Sequence, residues 1–121
     1  MLLNEFQYFA KRTAIYPKTF VEARDPTDPP VEVNIVYPSL GYAGEAGEFS
    51  NKIKKIIRDN HGEISEELRR DLGKELGDGL WYIAACASEL GLMLDDIAKD
   101  NIAKLNSRAE RGVLKGSGDE R

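Results

Sequence analysis

The chain has a single cysteine, Cys86, so an internal disulfide framework is excluded and a reducing, cytoplasmic compartment is the expected setting. Cys86 lies in an apolar run with no histidine near it in sequence, and reads as a small packing residue rather than a nucleophile. The only histidine is His61, so neither a Ser–His nor a Cys–His nucleophile is on offer. Long hydrophobic runs are missing too. The most apolar stretch, Gly79 to Leu94, is interrupted by Ser88 and Glu89 and is too short to span a bilayer. The start, MLLNEFQYF, lacks the basic and apolar regions of a signal peptide. There is no excess of basic charge: 17 Lys and Arg stand against 21 Asp and Glu, a net charge of −4. Neither nucleic acid nor a membrane surface is therefore an expected partner. A nucleotide ligand stays open, because bound metal inverts local charge.

What is present suits one helical domain. The 121 residues are 41% apolar and 31% charged, enough for a core and too apolar for disorder. Leu2, Leu3, Phe6, Phe9 and Ala10 recur at helical spacing and predict a first helix over 2–14. Phe6, Tyr8 and Phe9 read first as core, with a ring facing a ligand base as the alternative. All five prolines fall between Pro17 and Pro38, so 15–38 is a proline-rich connection, with turn chemistry in DPTDPP and an extended VEVNIVY. It reads equally as a flap or as a passive packing arm. Ser39 is the expected N-cap of a second helix over 39–59, and NHGEI at 60–64 is a break. Ser65 opens a third helix to about Leu90. Asp95 or Asp96 opens a fourth, with Leu94, Ile97, Ala98, Ile102 and Leu105 as its apolar stripe. The tail from Gly112 reads as mobile or draped on a partner. The expectation is an all-α four-helix bundle with a long loop after helix 1.

Two acidic pairs carry the chemistry. Glu45 and Glu48 stand three apart in GYAGEAGEFSNKIKK, and Glu75 and Asp78 stand three apart in KELGDGLWYIAA. On helices, each pair shares a face. Two antiparallel helices would aim four carboxylates into one volume, where like charges resist ionising together unless cations intervene. Mg²⁺, or Mn²⁺ in its place, takes such oxygen ligands and shares them with substrate phosphates. Gly41, Gly44 and Gly47 weaken the helix and imply close approach of another backbone or a ligand. Lys52, Lys54, Lys55 and Arg58 read as a basic helix end, with phosphate contact as a second possibility. Advancing 100° per residue groups Glu75, Asp78, Tyr82 and Cys86 on one face of helix 3. From Leu76 on, this helix is apolar almost all round, which predicts burial of Asp78 and a partner subunit over one side.

These motifs, LGYAGEAGEFSNKIKK, KELGDGLWYIAACASELG and NIAKLNSRAERGVLKGSGD, resemble the MazG-like branch of the all-α nucleoside triphosphate pyrophosphohydrolases. The resemblance spans about residues 4–119. It implies cleavage of a (d)NTP between the α and β phosphates, with Glu45, Glu48, Glu75 and Asp78 as Mg²⁺ ligands. Asn101 and Lys104 match substrate contacts, and Tyr82 matches a position near the substrate. Lys55 stands where some relatives place a base-contacting aromatic, so base preference is left open. Glu48 is assigned the general base. A homodimer or dimer of dimers is implied as well. Two rivals are a ferritin-like di-iron bundle, which needs ExxH motifs that this chain lacks, and a non-catalytic helical module that senses nucleotides or assembles with a partner.

Overall fold

The computed structural model describes residues 1–21, 25, 27, 29 and 31–121, and among them four helices and one short ribbon. The helices are α1 (Leu3–Arg12), α2 (Val36–Asn60), α3 (Glu66–Glu89) and α4 (Leu94–Glu110). The ribbon pairs β1 (Thr19–Val21) antiparallel with β2 (Val31–Val33), with Phe20 opposite Glu32. The fold is all-α, as expected, and the connection after α1 carries regular structure of its own. Asp25 accepts hydrogen bonds from the Thr27 amide at 2.9 Å and its hydroxyl at 2.7 Å, which is the local turn chemistry expected there. Within the stretch read as flap or arm, residues 22–24, 26, 28 and 30, Pro26 and Pro30 among them, lie outside the described residues.

α2 begins earlier than Ser39. Ile35 is its N-cap, Pro38 sits in its first turn, and the Ser39 hydroxyl donates to the Val36 carbonyl at 2.8 Å instead of capping. A proline costs no hydrogen bond there, because first-turn amides have no acceptor within the helix. Ser65 does cap α3, accepting the Leu68 amide at 3.2 Å. α2 stops at His61, whose φ of +55° is left-handed, followed by Gly62 at +80°.

α2 and α3 pack as an antiparallel hairpin, α1 packs on α3, and α4 packs on α1. The main buried cluster is Ala10, Ala84, Ala87 and Leu94, with Phe6, Trp81 and Ile83 against it. Ile56 and Leu72 are buried at the other end of the hairpin. Phe9 is 49% and Tyr8 65% exposed, which corrects their assignment to the core. They pack edge to face on each other, and the Arg12 guanidinium lies over Phe9.

α4 starts at Leu94 rather than at Asp95 or Asp96, and its N-cap, Met93, offers no side-chain acceptor. The acceptors come from α1. Gln7 Oε1 takes the Leu94 amide at 2.8 Å, and Asn4 Oδ1 takes the Asp95 amide at 3.0 Å. Gln7 Nε2 donates to the Leu92 carbonyl at 2.7 Å and to Ser88 Oγ at 3.2 Å. Gln7 is thus a buried polar side chain whose three bonds join α1, α3 and α4. Gln7→Leu would strand the Leu94 amide and the Leu92 carbonyl, at about 1–3 kcal/mol each. We expect a loss of about 2–4 kcal/mol in urea unfolding; a change below about 0.5 kcal/mol would contradict this cap.

The C-terminal residues hydrogen-bond to α4 of their own chain. The buried Arg108 donates to the Asp119 carbonyl at 2.8 Å, and the Arg111 guanidinium reaches the Arg121 carbonyl at 3.0 Å. These bonds fold residues 113–121 back onto the end of α4.

A candidate metal centre between the second and third helices

Glu45 and Glu48 project from α2 across the hairpin to Glu75 on α3. One carboxylate oxygen from each of the three lies within 4.8 Å of the others. Two glycines lie beside this group, and only Gly41 is demanded by space. Gly79 on α3 brings its bare Cα side to Glu45, whose Cβ would be 4.0 Å from an added methyl. Gly41 on α2 lies flat against the Tyr82 ring, and a methyl there would overlap three ring atoms. Gly44 and Gly47 meet nothing within 4 Å in the single chain, so close approach within the chain accounts for one glycine of that stripe.

Asp78 is exposed, which corrects the expected burial. Of the apolar run DGLWYIAACA, Trp81 and Tyr82 share a cavity with Asp78, while the alanines face away from it. Ala84, Ala85 and Ala87 turn into the core, whereas Leu76 is 60% exposed. Asp78 stands outside the tight group of three and joins Glu45 in lining an adjacent cavity of about 330 Å³ with Thr13, Trp81 and Tyr82. The Glu45 carboxyl is held above its usual range, first by desolvation and then by the charges of Glu48, Asp78 and Glu75. That is the electrostatic signature of acids that want a cation. Three convergent carboxylates, with a fourth beside them, fit a hard divalent ion.

A cation of the chain already meets this group. Lys52 Nζ lies 2.7 Å from Glu75 Oε1, and this bond, its largest influence, raises the ammonium above its usual range.

Next to the carboxylates lies an aromatic wall. Trp81 Nε1 donates to Thr13 Oγ1 at 2.8 Å, and its ring stands edge to face with Tyr82 at 5.0 Å and with Tyr16 at 6.3 Å. Tyr16 stacks on Tyr37 at 5.6 Å and donates its hydroxyl to Glu89. Burial, followed by the Glu89 carboxylate, pushes the Tyr16 phenol well above its normal range, so it stays a donor. A second cavity, of about 250 Å³, lies among Tyr16, Tyr37, Trp81 and Tyr82 and shares Thr13, Trp81 and Tyr82 with the first. The trough thus runs from Glu45 and Asp78 to the stacked tyrosines. Tyr16 and Tyr37 escaped sequence reasoning because they lie at the two ends of the proline-rich stretch, outside the acidic motifs. Cys86 lies close enough to Tyr16 to affect it; desolvation and Glu89 hold its thiol up, in keeping with a packing role.

The remaining predicted contacts sit elsewhere. Lys55 lines a cavity of about 290 Å³ at the far end of the hairpin, with Lys52, Asp59, Leu68 and Asp71. Asn101 is exposed on α4, and Lys104 pairs with Asp119 at 3.5 Å. Neither lines the trough.

Because the Tyr82 ring occupies the space a side chain at 41 would need, Gly41→Ala should push that ring out of the trough. The helix gains up to about 1 kcal/mol in propensity, but overpacking costs about 1–3 kcal/mol. We expect a lower melting temperature despite the better helix former; a rise would contradict the contact.

Comparison with known proteins points to a family. The MazG nucleotide pyrophosphohydrolase domain matches residues 39–113, which hold all four acids of the two pairs. The Gene 37 protein of Mycobacterium phage L5 is 43% identical over 121 residues, covering the whole of both chains. No solved structure matches. With its acidic pairs facing each other across the α2–α3 hairpin, the chain belongs to the MazG nucleotide pyrophosphohydrolase family.

Proposed function

We propose that the protein is a Mg²⁺-dependent nucleoside triphosphate pyrophosphohydrolase that cleaves a (d)NTP between the α and β phosphates, giving a monophosphate and pyrophosphate. The observation that carries this reading is the convergence of Glu45, Glu48 and Glu75 within 4.8 Å, with Asp78 beside them. Divalent ions held by these acids would supply the positive charge that neutralises the polyphosphate and activates water. The chain's own part is placement. Glu45 and Glu75, both half-buried, are fixed by the helix hairpin and suit the role of permanent ligands. Glu48 is the more exposed and is free to take the proton of the attacking water. Phosphoryl chemistry of this kind needs positioning and charge more than a covalent nucleophile. Tyr82 and the trough behind it suit the nucleoside. Asn101, Lys104 and Lys55 lie away from the trough in one chain, and take part in binding if a second copy brings them to it.

A second copy is part of this proposal. Tyr42, Phe49, Leu76, Leu80 and Ile83 line an open groove of about 490 Å³ on the α2–α3 face, next to Glu45 and Glu75. Among the described residues, no helix is long and apolar enough to cross a membrane, so a bilayer-spanning helix does not account for this face. A self-complementary dimer, or a dimer of dimers, would cover it.

The test is a panel of canonical and damaged (d)NTPs with Mg²⁺, scored for pyrophosphate and for orthophosphate. Metal-dependent pyrophosphate release supports the reading. Orthophosphate alone would move the attack to the γ position, and no turnover of any nucleotide would favour the non-catalytic sensor.

A further inference from the structure

Lys52 stands one turn beyond Glu48 on α2, on the face that meets α3. Its ammonium binds Glu75 Oε1 at 2.7 Å, so it draws on the same carboxylate that completes the group of three. The two partners are unequally placed. The Glu75 side chain is 11% exposed and fixed between the helices, whereas that of Lys52 is 39% exposed. Lys52 also feels the charges of Asp71 and Glu48, and its stem borders the cavity that runs on past Lys55 and Asp71. The more exposed lysine therefore has room to swing along the hairpin, and the more buried Glu75 has less. A divalent ion coordinated by Glu75 would repel an ammonium on the same carboxylate. A triphosphate arriving beside the acids would offer that ammonium new oxygen partners.

We propose that Lys52 is a built-in counter-cation of the carboxylate group, competing with metal for Glu75 in the free protein and passing to the polyphosphate when metal and nucleotide load together. It is a positioning residue that couples metal binding to substrate binding. This rests on the metal-site reading above, and it adds a linkage that the acidic pairs alone do not contain. With the lysine in place, metal binds weakly without nucleotide and nucleotide binds weakly without metal. Each ligand removes an obstacle to the other, which is positive coupling in the thermodynamic sense.

The experiment is calorimetric titration of the full-length protein with Mn²⁺ in the absence of nucleotide. Wild type is compared with Lys52→Met, which keeps length and removes charge, and with Lys52→Arg, which keeps charge. Lys52→Gln serves as a second neutral variant, and circular dichroism checks that each is folded. We expect both neutral variants to bind Mn²⁺ about tenfold more tightly than wild type and Lys52→Arg to stay near wild type, as loss of one competing charge predicts. In turnover assays the neutral variants should raise KM for the nucleotide while changing kcat much less. Folded neutral variants that bind Mn²⁺ no better than wild type would overturn the role of Lys52 and leave the metal site standing. A wild-type protein that binds no Mn²⁺ at all would overturn the metal site and this proposal together.

Discussion

Glu45→Gln should bind divalent metal far more weakly and lose at least about 100-fold in turnover, beyond the 10- to 100-fold typical of residues that only support a ligand. Glu45 is the acid with the most acidic neighbours: Glu48 and Glu75 close around it, and Asp78 shares its cavity. Glutamine keeps the shape and removes the charge. It also relieves the charge desolvation and, after it, the repulsion that raise the Glu45 carboxyl, so the metal-free variant should be at least as stable as wild type. The sign follows from linkage. A carboxyl whose folded value is raised favours folding at low pH and loses that advantage as pH rises through the folded value. Near neutrality the wild-type glutamate is therefore a strain that glutamine lacks. The expected pattern is lost activity, a retained or raised melting temperature without metal, and no further rise on adding Mn²⁺. A variant that keeps near-normal turnover at saturating Mg²⁺ would contradict the site. Asp78→Asn should act in the same direction, but less strongly, because Asp78 is exposed and outside the tight group.

The acidic pairs were legible because their spacing is local. Three-residue spacing on a helix fixes a shared face, and a short break at 60–64 fixes an antiparallel return. The Ser65 cap was legible for the same reason. What failed depended on distance or on context. Ser39 looked like a cap because Pro38 looked like a breaker, but the first turn of a helix tolerates proline. The caps of α4 come from Asn4 and Gln7, more than 80 residues away in sequence, which no local pattern contains. A weak signal was there, since Gln7 interrupts the apolar face formed by Leu3, Phe6 and Ala10. The apolarity of its neighbours suggests burial of Asp78, whereas α3 turns only Ala84, Ala85 and Ala87 into the core and leaves the acid outside. Lys52 was read as part of a solvated basic end, although its position four residues after Glu48 put it on the acidic face.

Leu76→Glu should dissolve the assembly. Leu76 is 60% exposed in the single chain and lines the groove with Tyr42, Phe49, Leu80 and Ile83. A charge in such a surface costs little when it faces water and several kcal/mol when a partner covers it. The variant should therefore fold and elute at the monomer mass, where wild type is expected to elute as the proposed dimer or tetramer. Activity should fall with it, because the groove adjoins Glu45 and Glu75 and contributions from the partner would be lost. Trp81 is the poorer site for this test. Its ring is held within its own chain by Thr13, Tyr16 and Tyr82, so a charge there would damage the trough directly. Wild-type protein that scatters light as an active monomer would contradict the assembly and leave the chemistry untouched.

In the proposed reaction, acids on α2 and α3 direct water at the α phosphorus of a nucleoside triphosphate, and this attack is the step to test. Its most direct test is a Mg²⁺-dependent turnover in isotopically heavy-oxygen water, with the products separated and weighed by mass spectrometry. A single heavy oxygen is expected in the nucleoside monophosphate and none in the pyrophosphate. Heavy oxygen in pyrophosphate, or in orthophosphate released beside a nucleoside diphosphate, would contradict it.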